Sequence, residues 1–277
     1  MNDLKFSVSI CVYGGDDPLH FDAALESVFN QTRVPDETVL FVDGPIGEET
    51  AAIIEKYKEK YSFFKVIKSE INVGHGNARR ACMDNCSYEL IALMDADDIC
   101  EKERFEKQIK AFSENEKLSI VGGQIEEFID IKENIVGKRT VPLSDGEIKN
   151  YMKKRCPMNQ VTVMFKKSDI NNVGGYIDWY CEEDYYLWIR MALAKLEFCN
   201  LPDNLVFVRV GKEMYSRRGG RKYFASEAKL QGYMLKHGII GIGRYLINVT
   251  ERLILQVLMP NSLRGWVFKK FAREKTE

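Results

Sequence analysis

The chain is poor in metal-binding and cross-linking patterns. No pair among its 7 cysteines (Cys11, Cys82, Cys86, Cys100, Cys156, Cys181 and Cys199) has C-x-x-C spacing, and their number is odd. Only 3 histidines are present, and His20, His75 and His237 lie near no such pair. This argues against a structural zinc site or a disulfide framework, and reduced, packed thiols are expected. There is no excess of one charge: 40 Lys and Arg face 41 Asp and Glu, a formal net charge of -1. A strongly basic nucleic-acid binder is therefore not expected. No long apolar core opens the chain as a secretory leader does. The longest apolar region, 239–259, is interrupted by Arg244, Glu251 and Arg252, so it is not expected to span a bilayer. A cytoplasmic protein is the expectation, which makes the Asn30-Gln31-Thr32 and Asn248-Val249-Thr250 sequons chance matches.

What is present is ordinary globular composition, 45% hydrophobic and 29% charged over 277 residues, enough for a sizeable buried core. The first half alternates. Strand-like runs at 6–12, 38–42, 64–67 and 90–94 are separated by helical patterns at 20–30, 48–61 and 74–86, followed by a helix at 102–112 and a strand at 119–121. A β-α-β-α-β-α-β order with continuous apolar strands predicts an α/β fold with a mostly parallel sheet covered on both faces. Ligands bind such sheets beyond the carboxyl ends of the strands. From Gln124 the rhythm changes: a hairpin over 126–131 and 136–141, a helix at 145–154, a strand at 161–166, a helix at 182–196 and a strand at 206–210. The expected division is a catalytic unit over 1–220, with halves near 1–123 and 124–220, and a helical extension over 221–277.

The strongest chemical signal is Ala92-Leu93-Met94-Asp95-Ala96-Asp97-Asp98, an apolar strand delivering three carboxylates to its end. Clustered carboxylates repel unless a cation or hydrogen-bond donors occupy the gap. A hard divalent ion held by one or two of them, its shell completed by phosphate oxygens, matches this geometry. A cap on the 102–112 helix by Asp97 or Asp98 is the alternative, but a cap needs one acid. Asp43, followed by Gly44-Pro45, ends another strand and is either a turn residue or a ligand contact. Asn72-Val73-Gly74-His75-Gly76-Asn77-Ala78-Arg79-Arg80 joins a strand to a helix whose N-terminus, with Arg79, suits phosphate, although it is neither G-x-G-x-x-G nor a P-loop. Cys181-Glu182-Glu183-Asp184-Tyr185-Tyr186-Leu187-Trp188 opens an aromatic helix with three acids. They are either favourable helix-terminal charge or the seat of a general base beside a sugar. Asn159, in Cys156-Pro157-Met158-Asn159-Gln160, is a candidate substrate contact, and Arg209, Lys212, Tyr215, Arg217 and Arg218 form a basic cluster.

Taken in order, Ser7-Val8-Ser9-Ile10-Cys11-Val12-Tyr13, Gln31-Thr32, Asp43-Gly44-Pro45, Asn72-Val73-Gly74, Asp95-Ala96-Asp97-Asp98 and Glu183-Asp184-Tyr185 resemble the inverting nucleotide-sugar transferases of glycosyltransferase family 2. The segment from Arg209-Val210-Gly211 to Met214-Tyr215-Ser216-Arg217-Arg218-Gly219 is similar to their bacterial capsule, exopolysaccharide and O-antigen branch. The resemblance implies a GT-A fold and a donor, UDP-linked, held by Val12, Tyr13, Asp43, Asn72, Gly74, Arg79, Asp95 and Asp97. It implies Mg or Mn on Asp97 with Asp95, Asp184 as catalytic base, and Asn159, Glu183, Arg209, Arg217 and Arg218 on the acceptor or diphosphate side. The acceptor would be a saccharide, free or on a polyprenyl diphosphate. Two departures stand out: Cys11-Val12-Tyr13-Gly14 replaces the family's Pro-x-Tyr-Asn, and Gly14-Gly15-Asp16-Asp17 lengthens the loop. The rival expectations are a hydrolase pairing Asp95 with Asp184 and a non-catalytic nucleotide-sugar binder.

The charge balance is a cancellation. From Arg209 onward 15 Lys and Arg stand against 5 Asp and Glu, while the part before holds 25 against 36. Ile242, Tyr245, Leu246, Val249, Leu253 and Val257 share one helical face, with Arg244, Asn248 and Glu251 opposite. That face packs on the domain, or it meets an anionic membrane surface together with Trp266, Phe268 and Phe271 among Arg264, Lys269, Lys270 and Arg273.

Overall fold

The structure, a computed structural model, describes residues 4–211 and 219–259. Its first third alternates as the sequence predicts: β1 (Phe6–Tyr13), α1 (Pro18–Phe29), β2 (Glu37–Asp43), α2 (Glu48–Lys60), β3 (Phe64–Lys68), α3 (His75–Asp84) and β4 (Leu90–Met94). There follow β5 (Ile99–Cys100), α4 (Arg104–Glu114), β6 (Leu118–Phe128), β7 (Ile135–Arg139), α5 (Asp145–Met152), β8 (Met164–Lys166), α6 (Lys167–Asn172), α7 (Glu183–Leu193), β9 (Glu197–Arg209), α8 (Arg221–Lys236) and α9 (Ile242–Leu253).

One sheet has the order β3-β2-β1-β4-β8-β6-β9-β5, with β7 paired to β6. The first four strands are mutually parallel, β8 runs antiparallel to β4 and β6, and β9 runs parallel to β6. Successive side chains of a strand face opposite sides of its sheet, and the core divides accordingly. Leu90, Ala92 and Met94 of β4 join Phe6, Val8 and Ile10 of β1 and Phe21 and Leu25 of α1 on one face. Ile91 and Leu93 join Val39, Phe41, Cys82, Tyr185 and Trp188 on the other. That second cluster also takes in Leu230 and Met234 of α8, so the segment after residue 220 is built into the main core.

Two strands run longer than the sequence pattern suggests. β6 continues through Gly122-Gly123, where a Cβ would meet Asn200 Oδ1 at 2.4 Å and Leu205 Cδ1 at 2.5 Å respectively, so glycine permits the close approach of β9. β9 itself passes through Leu201-Pro202-Asp203, which reads locally as a turn; the β6–β9 register shifts there. Residues 161–162, expected to begin a strand, belong to a 3-10 turn over Gln160–Thr162 ahead of a three-residue β8.

Arg104, fully buried, braces the carboxyl end of β4 from below. Its guanidinium donates to the Leu93 carbonyl at 2.8 Å and to Gln108 Oε1 at 3.1 Å, and Gln108 donates in turn to the carbonyls of Val121 and Thr162, each at 2.8 Å. Arg104→Ala removes a buried side chain and leaves acceptors unpaired, so it is expected to cost roughly 3–5 kcal/mol. The measurement is the urea midpoint, and an unchanged midpoint would show that the arginine contributes nothing to stability.

Candidate active site

The parallel strands β1, β2 and β4 deliver their carboxyl ends to one edge of the sheet, where Tyr13 is the register partner of Asp43. Val12 points its side chain into the core and pairs with Val42 of β2. Tyr13 is 49% exposed. Its N–H donates to Asp16 Oδ2 at 2.9 Å, and the Asp16 N–H returns a bond to the Tyr13 carbonyl at 3.1 Å. Asp43 is buried, and its Oδ1 accepts from the Val73 N–H at 2.7 Å. Asn72 donates from Nδ2 to the Asp43 carbonyl at 3.3 Å, and its Oδ1 accepts from the Gly74 N–H at 3.1 Å. Gly44 has φ +88°, and a Cβ there would lie 2.8 Å from the Asn72 nitrogen. Asp43 thus holds the 72–74 loop at the end of β2, the turn reading of this residue, and Asn72 is exposed.

The acid motif leaves β4 at the same edge. Asp95, half-buried, makes a 2.5 Å ion pair with Nη2 of buried Arg79 from α3. Burial opposes ionisation of Asp95, but the Arg79 guanidinium outweighs it and holds the carboxyl below its ordinary range. Asp97 is exposed, its carboxyl raised by partial burial in the cleft and by the Asp95 charge. Asp98 is buried and pushed well up, by burial first and then by Asp97 and Asp95. Asp98 does not cap α4, whose N-cap is Glu103; it accepts instead from the Arg209 N–H at 2.8 Å. The Arg209 guanidinium donates to the Asp97 carbonyl at 3.1 Å and to the Asp130 carbonyl at 2.7 Å, which brings a cation to the acids without neutralising their side chains.

Asp184 enters from the other half. It lies in the first turn of α7; its Oδ1 accepts from the Tyr185 N–H at 2.6 Å, and Cys156 Sγ lies 4.0 Å from Oδ2. Gln160, its amide oriented so that both ends find complementary groups, donates to Asp184 Oδ2 at 2.9 Å, and its oxygen accepts from Arg79 Nη1. Asp95, Arg79, Gln160 and Asp184 therefore form one continuous polar chain across the cleft. Tyr176 is buried nearby, and burial pushes its hydroxyl up. Arg190 and Arg80 clamp the turn ahead of α7, donating to the carbonyls of Gly175 at 2.6 Å and Gly174 at 3.3 Å respectively. Glu183, half-buried beside Asp184, has its carboxyl raised by burial and by that neighbour.

Two placements differ from expectation. Asn159 does not face the cleft: it is buried and its Nδ2 donates to the Gly123 carbonyl at 2.8 Å, while Gln160, one residue on, reaches Asp184. Arg79 is committed to Asp95 and Gln160 inside the protein. Arg217 and Arg218 lie outside the described residues. Sequence reasoning missed Gln160, Tyr176 and Asp16; only the proximity of Gln160 to Asn159 signalled the first. Among the described residues no group of three His, Cys, Asp or Glu side chains is arranged to hold a metal by itself.

An α/β sheet of this topology, with acids at a strand end facing a carboxylate on a later helix, defines a glycosyltransferase of the GT-A fold. The S. aureus TarS 1–349 structure in complex with UDP-GlcNAc aligns over 91% of this chain and 73% of that one, with TM-score 0.66 at 18% identity. A family model described as Glycosyl transferase family 2 matches residues 7–172. An uncharacterized glycosyltransferase of Haemophilus influenzae is 37% identical over 98% of this chain and 100% of its own. The UDP-Gal:alpha-D-GlcNAc-diphosphoundecaprenol beta-1,3-galactosyltransferase of Escherichia coli is 34% identical over 97% of each. The chain belongs to glycosyl transferase family 2.

Asp16 adds a further carboxylate facing this cleft. Burial raises its carboxyl to about 6, against the pull of the Tyr13 N–H and with help from Asp97 and Asp95. A carboxyl raised on folding holds its proton more tightly in the folded chain, so its stabilising contribution is complete below about pH 4 and is lost as pH rises through about 6. In chelator-containing buffer, Asp16→Asn is expected to raise Tm relative to wild type at neutral pH and to lose that advantage near pH 4. A Tm difference independent of pH would refute the shift.

Proposed function

We propose that the chain transfers a sugar, with inversion, from a UDP-linked donor to a saccharide acceptor carried on a lipid diphosphate, in bacterial surface-polysaccharide synthesis. The observation that carries this is the Asp95–Arg79–Gln160–Asp184 chain, which couples the donor-side acids to a carboxylate suited to deprotonate an acceptor hydroxyl. Tyr13, Asp43, Asn72 and Gly74 surround the nucleoside end. The donor set at the acid motif, hard carboxylate oxygens crowded enough to repel, fits a divalent cation that shares its shell with diphosphate. Asp97 would hold Mg or Mn, with Asp95 beside it, and that ion would supply neutralisation of the diphosphate charge.

Asp184 takes the proton of the acceptor hydroxyl while that oxygen attacks the anomeric carbon. The new C–O bond forms as the bond to the nucleoside diphosphate breaks on the opposite side, and one displacement inverts the configuration. Gln160 and the Tyr185 N–H fix the two Asp184 oxygens. Arg209, with Arg217 and Arg218 further along the sequence, attracts the departing diphosphate. The lipid-linked acceptor is proposed by analogy with the named substrate of the E. coli relative, and transfer to it would occur at the inner face of the cytoplasmic membrane. No helix of the described residues is long and apolar enough to cross a membrane, so the proposed association is peripheral, through the C-terminal segment.

A carboxylate-pair hydrolase needs one acid that keeps its proton. Asp95, held ionised by Arg79, is unsuited to that role and could serve such a pair only as its ionised member. Asp184→Asn is expected to lower turnover about 10²–10⁴-fold while UDP binding stays unchanged; wild-type turnover would remove Asp184 as the base. A second measurement addresses the metal. UDP should raise Tm only with Mg or Mn present, and Asp97→Ala should abolish that metal-dependent increment. Stabilisation by UDP that ignores chelator would overturn the metal assignment.

A further inference from the structure

α9 packs with its polar side inward. Asn248, Arg252 and Gln256, four residues apart along α9 and the helical turn that continues it, are buried. Asn248 Nδ2 donates to the Lys153 carbonyl at 2.9 Å and to Gln231 Oε1 at 2.7 Å. Arg252 donates to the Lys154 carbonyl at 2.9 Å and pairs with Glu227 at 3.1 Å. Gln256 donates to Glu227 as well, and its carbonyl accepts from the Gly220 N–H at 2.9 Å. These bonds fix the rotation of the helix. On its outer side Ile242, Leu246, Ile247, Leu253, Ile254 and Leu258 are 37–67% exposed.

A surface helix ordinarily turns its apolar stripe to the core. Here a buried polar spine turns it outward, presenting a contiguous apolar strip of the kind that marks an interaction site. The chain then continues, in sequence, through Trp266, Phe268 and Phe271 with Arg264, Lys269, Lys270, Arg273 and Lys275 against Glu274 and Glu277. An apolar strip followed directly by aromatic and basic residues complements an anionic bilayer, which accepts apolar side chains at the acyl boundary and attracts cations at its headgroups. A second copy of this chain would bring the same basic segments together.

We propose that the outer face of α9 is a membrane-docking surface that lies flat in the interface of an anionic bilayer. The inference rests on the peripheral association proposed above and assigns it to one helix face. Docking there also orients the active site. α8 is bonded to α9 through Gln231 and to the segment leading into α7 through Ser226, whose Oγ donates to the Tyr180 carbonyl at 2.6 Å and whose carbonyl accepts from Trp179 Nε1 at 3.3 Å.

The test is co-sedimentation of the full chain with vesicles of equal phosphatidylcholine and phosphatidylglycerol, beside pure phosphatidylcholine. Wild type is expected to pellet with the anionic vesicles and to be released by salt. Leu246→Glu with Ile254→Glu is expected to weaken that binding by roughly tenfold or more, while Tm and donor hydrolysis stay unchanged. Ile242→Gln with Leu258→Gln repeats the measurement at the two ends of the strip. Undiminished binding by both variants would overturn the α9 assignment and leave membrane association standing. Failure of wild type to pellet would overturn both. A wild-type dimer that the variants convert to monomer would identify the face as an interface between copies and overturn the proposal.

Discussion

The buried Arg79 guanidinium is the constraint on which the site depends. A cation removed from water is costly by several kcal/mol unless its partners are well placed, and Arg79 meets that demand with two groups from different parts of the chain. Asp95 comes from the end of a parallel strand, and Gln160 from a 3-10 turn next to β8. Satisfying one arginine thereby fixes the separation of the acid motif after β4 and Asp184 on α7. Arg104 beneath β4 and Arg209 at the end of β9 extend the same logic, since each donates to backbone carbonyls around the acid motif and leaves Asp97 exposed for a ligand.

The sheet order explains how two sequence-distant halves share one cleft. β8 lies directly beside β4, antiparallel, so the segment that precedes β8 emerges beside the end of β4 where Asp95 begins. The Gly174-Gly175 turn, clamped by Arg80 and Arg190, returns the chain to start α7 at the same place. α8 and α9 complete the molecule in opposite senses. α8 gives Leu230 and Met234 to the main core, whereas α9 rests only Tyr245 against it, attaches otherwise through hydrogen bonds and an ion pair, and leaves its apolar strip outward.

The alternating first half was legible because strands β1 to β4 are buried on both faces and read as unbroken apolar runs between helical periodicities. The acids Asp43, Asp95 and Asp97 were legible for the same reason, as charge placed abruptly at strand ends. β9 was half-hidden because Pro202 and Asp203 imitate a turn, and β6 because Gly122-Gly123 interrupts its apolar run. Gln160 was signalled only by its place beside Asn159 in a polar segment: its amide becomes meaningful when Arg79 and Asp184 lie on either side of it.

The sequence by itself determined the fold class, the strand ends that carry acid and the basic character of the C-terminal segment, since hydrophobic periodicity and charge order are local properties of the chain. It also placed Ile242, Tyr245, Leu246, Val249, Leu253 and Val257 on one helical face, but did not show which of them turn inward: Tyr245, Val249 and Val257 are half-buried, whereas Ile242, Leu246 and Leu253 are exposed. That choice belongs to tertiary structure. Lys153, Lys154, Glu227 and Gln231, distant in sequence, supply the acceptors that draw Asn248 and Arg252 inward. Once buried, those polar groups need partners, and these distant residues supply them.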